Sequence, residues 1–125
     1  MEKQLTAEER EQLNMWVANM EAAEMAQVQD LIDNCSVSFQ FAKTHSVYLK
    51  DWEKTKAQME QNLKADALPS GVSAALFQAI IDGSEEVMQK KLKKVRDAFQ
   101  RRFGESIYNY LRPDGKTRKL FGIFG

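Results

Sequence analysis

Apolar residues recur at Leu13, Trp16, Val17, Met20, Val28, Leu31 and Cys35, and at helical spacing they fall within an arc of roughly 120°. The pattern predicts an amphipathic helix over 6–34. Thr6 and Glu9 precede it at the spacing of a capping box, in which each side chain satisfies a backbone amide near the other. Glu24 and Gln27 interrupt the stripe. They either form a buried polar layer that fixes register or receives a ligand, or lie at the solvated rim of a stripe that drifts around a 3.6-residue helix. The second reading is preferred.

Residues 36–41 alternate polar and apolar with period two, a short strand signal. A lone strand needs a partner, so an irregular or helical bridge is expected. Tyr48, Trp52, Met59 and Leu63 then share one face of a second helix over 46–64, and Leu68-Pro69-Ser70-Gly71 is the clearest breaker in the chain. A third, short helix over 72–82 carries apolar residues on nearly all sides, which predicts burial. Gly83 suits its C-terminus, and Ser84 followed by Glu85 and Glu86 suits the start of a fourth helix over 85–110. On that helix Met88, Leu92, Val95, Phe99, Phe103 and Tyr110 line one side. Lys90, Lys91, Lys94, Arg101 and Arg102 occupy the opposite arc, and Gly104 kinks or ends it. In the tail over 111–125, Pro113-Asp114-Gly115 is a turn signal between apolar segments.

The expected fold is all-α, a single helical domain over 1–125. Four helices form an irregular bundle with a short C-terminal β-hairpin or a hooked tail, and the first and fourth helices flank the buried third. Composition agrees: of 125 residues, 43% are hydrophobic and 29% charged, with two Pro and six Gly, which marks a chain able to build a core.

Net charge is zero, but its distribution is not even. Residues 1–62 hold six Lys/Arg against eleven Asp/Glu, and residues 63–125 hold twelve against seven. The halves can attract each other within one chain or across a homo-oligomer, or the basic half can meet an acidic partner. Between 88 and 119 there are eleven Lys/Arg and three Asp/Glu, enough to neutralise phosphates. No nucleic-acid-binding signature accompanies them.

One cysteine, Cys35, permits no internal disulfide, which fits a reducing compartment. No signal-peptide pattern and no apolar run long enough to span a membrane is present. A cytoplasmic location is therefore expected. Cys35 and His45 lack any surrounding catalytic signature and are too few to hold zinc. Phosphate-binding glycine loops are also absent, so no enzyme activity, cofactor or metal is expected.

The expected function is that of a non-enzymatic adaptor or regulator that binds another protein with an acidic surface. The partner-binding residues would be Lys90, Lys91, Lys94, Arg101, Arg102, Lys116, Arg118 and Lys119, with Phe121 and Phe124 of the apolar terminus. Met15 and Met25, off the main stripe of the first helix, suggest a second contact surface and hence a homodimer. Nucleic-acid binding by the basic face is the alternative. Capture of a small anionic ligand at an oligomer interface lined by Arg101, Arg102 and Tyr108 ranks after it.

Overall fold

The computed structural model describes residues 4–118. It contains three long helices: α1 (Ala7–Asn34), α2 (Ser38–Lys64) and α3 (Ala74–Phe103). A short 3₁₀ turn, Ile107–Asn109, follows. The helical class holds; the four-helix count does not. The expected third and fourth helices are one continuous α3, and no helix boundary falls at Gly83 and Ser84.

The reason lies in what those residues touch. A Cβ placed on Gly83 would stand 2.8 Å from Val17 Cγ2, so the glycine lets α1 cross α3 closely. The Ser84 side chain is buried, and its Oγ accepts a hydrogen bond from Trp16 Nε1 at 3.2 Å. Glu85 Oε2 accepts from Trp52 Nε1. Residues with the chemistry of a helix boundary here serve as contact points to α1 and α2.

α3 carries most of the core. Eleven of its side chains are buried, against Val28 and Leu31 alone in α1. Both α1 and α2 pack along α3 but barely meet each other. Their three-residue connection, 35–37, holds them together at one end. There Val28, Leu31, Phe41, Ala42, Val95, Ala98, Phe99, Ile107 and Leu111 form a continuous buried cluster. Phe41 meets Phe99 and Phe103 edge-on, at centroid separations of 5.9 and 5.7 Å, a favoured arrangement for aromatic pairs.

α2 begins at Ser38 rather than at 46. Its first turn lies between α3 and the tail, so apolar side chains are needed on two sides at once. Phe41 faces Phe99, while Phe39 faces Tyr110 at 6.5 Å. That two-sided demand produces the period-two alternation inside a helix.

The caps follow the sequence closely. Thr6 and Glu9 exchange the two capping-box hydrogen bonds, at 3.0 and 3.1 Å. Ser73 caps α3 by accepting from Leu76 N at 3.1 Å and donates its own hydroxyl to Glu9 at 2.6 Å, tying the two helix starts together. α3 ends at Gly104 in the left-handed conformation (φ 69°), a common helix stop, so the helix does not reach 110. The hairpin expectation reduces, among the described residues, to a single antiparallel bridge, Leu111–Thr117. Gly115, at φ 85°, closes the intervening turn against the side chain of Leu49, where a Cβ would collide.

Gly83→Ala is expected to destabilise the protein by about 1–2 kcal/mol, because overpacking against the stiff Val17 outweighs the gain in helix propensity. In a Val17→Ala background the same change should instead stabilise by about 1 kcal/mol. Urea unfolding of the four proteins measures this coupling, and additive effects would contradict the close crossing.

Candidate partner-binding surface

The basic arc of α3 divides into three groups. Lys90 is exposed and pairs loosely with Glu21 of α1 at 3.7 Å. Lys94 and Arg101 have no carboxylate partner among the described residues. Arg102 is exposed but anchored: its NH1 donates to the backbone oxygen of Cys35 at 2.6 Å, just beyond the end of α1. Arg101 and Arg102 sit in the last turn of α3, where the helix dipole favours cations.

Lys91 departs from the expected arc. Its side chain is 3% exposed. The ammonium contacts Glu24 Oε2 and Gln27 Oε1 and lies 3.8 Å from the centroid of the Tyr48 ring. The cause is geometric: Lys91 lies one turn from Met88 and Val95 and two turns from Ser84, all buried, so it belongs to the inner stripe. Its long stem reaches outward to the pair on α1. Glu24 is half-buried and Gln27 exposed, so both lie toward the rim, as preferred, yet they complete a polar layer by receiving a buried lysine. The sequence signal for it was the interruption of the α1 stripe; its partner on α3 was hidden in a basic run. Burial, with Glu24 and Asp30 nearby, raises the Tyr48 pKa above its ordinary value.

This layer sits in an open cleft of about 350 Å³, which Met20, Tyr48, Asp51, Trp52 and Met88 also line. A second groove, of about 400 Å³, opens on the other side of α1. Phe41, Ala98 and Ile32 supply its apolar lining, and Lys94, Arg101 and Arg102 its rim. The structure thus brings three of the expected partner-binding residues together around one groove.

The remaining ones are elsewhere. Lys116 is exposed, and its backbone amide donates to Asp114 Oδ1 at 2.9 Å. Arg118 holds the tail, donating from Nε to the carbonyls of Tyr108 and Leu111 at 2.7 and 3.0 Å. Tyr108 is 42% exposed. Lys119, Phe121 and Phe124 lie outside the described residues. Of the two off-stripe methionines, Met15 is 61% exposed and Met25 half-buried.

Cys35 and His45 have separate surroundings. The Cys35 thiol contacts the Val37 carbonyl oxygen at 3.6 Å. His45 is buried within α2, with Nε2 3.3 Å from Arg96 NH1 and Nδ1 without a hydrogen-bond partner. Burial, reinforced by the Arg96 charge, lowers its pKa to about 4. Among the described residues no group of three or more His, Cys, Asp or Glu is placed to hold a metal ion, and no helix is long and apolar enough to cross a membrane. No known protein family, curated protein or solved structure matches this chain.

Two expected outcomes follow from the buried groups. Glu24→Leu should cost about 2–4 kcal/mol, because it strands the Lys91 ammonium beside Gln27 and Tyr48, whereas the double variant Glu24→Leu/Lys91→Met should return to within about 1 kcal/mol of the original. Thermal unfolding of both variants decides this; a mild effect of the single change would contradict the buried layer. The His45 pKa is lower when folded than when unfolded, so the unfolded state binds the proton more readily. Its contribution is complete above pH 6.5 and is lost as pH falls toward 4, by about 3 kcal/mol. His45→Gln should flatten the pH dependence of the urea midpoint in that window, and an unchanged slope would refute the assignment.

Proposed function

We propose that this chain is a non-enzymatic interaction module, an adaptor or regulator that binds an acidic surface of another protein through the basic end of α3. The observation that carries this reading is a cluster of cations without internal counter-charges. Lys94 and Arg101 lack carboxylate partners among the described residues, and Arg102 stands beside them with only part of its guanidinium engaged. Of the neighbouring lysines on α3, Lys90 meets Glu21, Lys91 meets Glu24 and Lys93 meets Asp97, while Arg96 contacts His45. Unpaired cations concentrated at one end supply complementarity for an incoming acidic surface and speed its encounter.

Lys94→Glu/Arg101→Glu should abolish capture of the protein partner from the native source. The urea midpoint should move little, since both side chains reach solvent and neither loses an ion pair. Unchanged capture would overturn the proposal. Capture that disappears on nuclease treatment would replace it with nucleic-acid binding.

A further inference from the structure

We infer that the groove bordered by these cations holds a phosphorylated side chain on the partner's acidic surface, a phosphate monoester and not a lone carboxylate. The inference rests on the proposed function and names the group that the site takes. Lys94, Ala98, Arg101 and Arg102 are spaced on α3 so that they share one side of the helix. Ala98, 6% exposed, stands in the middle of that side. Its short side chain leaves a hollow with cations about one turn away in both directions along the helix. Gln29 and half-buried Ile32 of α1 border the hollow across from α3. The Gln29 amide is already committed, donating to Asp33 at 2.9 Å. The hollow therefore offers an incoming group little besides the three cations.

Charge and donor number select the group. The groove, of about 400 Å³, is bordered by three cations and by no carboxylate. Neither Lys94 nor Arg101 has an ionic partner among the described residues. The last turns of α1 and α3 both border the groove, and each helix end contributes about half a negative charge. A surplus of about two positive charges remains. One carboxylate neutralises half of it and offers two oxygens. A phosphate monoester carries about −1.5 to −2 at neutral pH and presents three acceptor oxygens. Arg101 is free to hold two of them with parallel hydrogen bonds. Arg102 commits one of its five N–H donors to the Cys35 carbonyl oxygen, which fixes the head group and leaves further donors for the anion. A cation held in place before binding loses less conformational freedom on binding. Half-buried Lys94 adds a compact point charge at the other end.

The lining separates this group from the phosphates of a nucleic acid. A strand held in a cationic groove is normally retained by stacking of bases on aromatic faces. Phe41, the aromatic residue bordering this groove, is 0% exposed and offers no face to a base. Arg101 and Arg102 are exposed, so a phosphate standing out from a protein surface reaches them without any insertion of the chain that bears it.

The test uses the full chain and three fluorescent probes, read by anisotropy. The first is a short Asp/Glu-rich peptide with one central phosphoserine, the second the same peptide with Glu in its place, and the third a single-stranded oligonucleotide. The phosphopeptide should bind about tenfold more tightly than the Glu peptide. Arg101→Lys keeps the charge but removes the two-pronged donor. It should erase most of that preference while leaving the Glu peptide within about twofold of its original affinity. Lys94→Ala/Arg101→Ala should weaken both peptides. Equal affinity for the two peptides would overturn the phosphate and leave the acidic-partner reading standing. Binding of neither peptide would remove both. A phosphopeptide preference that survives Lys94→Ala/Arg101→Ala would place the phosphate elsewhere and overturn the site. Tighter binding of the oligonucleotide than of the phosphopeptide would overturn the inference in favour of nucleic acid. Displacement of the phosphopeptide by an equal concentration of inorganic phosphate would overturn it in favour of a free anion. Circular dichroism of each variant confirms the helical fold.

Discussion

One helix has to provide a core for two neighbours that barely touch each other, and most features of this protein follow from that constraint. In a closed three-helix bundle each helix buries a stripe against two others. Here α1 and α2 both rely on α3, so α3 must be apolar toward both. It must also run unbroken for 30 residues to match helices of 28 and 27. Its inner side is nevertheless not entirely apolar. Ser84 and Lys91 stand there, each buried and each bonded outward to a residue of α1. A hydroxyl and an ammonium in those places satisfy the rule that buried polar groups keep partners.

The same constraint explains which parts of the fold were legible in the sequence. The start of α1 was readable because capping chemistry is local: Thr6 and Glu9 act on amides three residues away. The break after Lys64 was readable because Pro69 and Gly71 act on their own backbone. The continuity of α3 was not readable. Gly83, Ser84 and the glutamates after them have the chemistry of a helix boundary, and only Val17, Trp16 and Trp52, distant in the chain, give them another use. The early start of α2 was hidden likewise, since Phe39 is explained by Tyr110, which lies after α3 has ended. Local signals were sound wherever the determining contact was local.

For the candidate site, the chain order of charges was visible and their assignment was not. Lys90, Lys91, Lys93 and Lys94 read as one basic run, but a helix distributes consecutive residues around its circumference. Lys90 meets Glu21, Lys91 turns inward to Glu24, Lys93 bonds Asp97 along its own helix, and Lys94 opens on the groove. Four like residues thus acquire four different environments. The segregation of acidic and basic halves is consumed first by the α1–α3 contact, and its electrostatic contribution there is modest wherever the pair is exposed.

What that contact leaves over is the unusual quantity. α1 has acidic residues at its start and again at Asp30 and Asp33, but Asp33 bonds Gln29 and Asp30 bonds Asn34, each within its own helix. The cations facing the end of α1 across the groove therefore receive no counter-charge from it. The helix dipole of α3 accounts for cations in its last turn, where Arg101 and Arg102 stand, but falls off within that turn and does not account for Lys94, two turns earlier. The arrangement is stable in water because the side chains remain solvated, and it becomes more favourable when a carboxylate-bearing surface displaces that water. A fold that pairs Glu21 and Glu24 in the middle of α1 while leaving Lys94 and Arg101 beside its end retains electrostatic attraction for an incoming acidic surface.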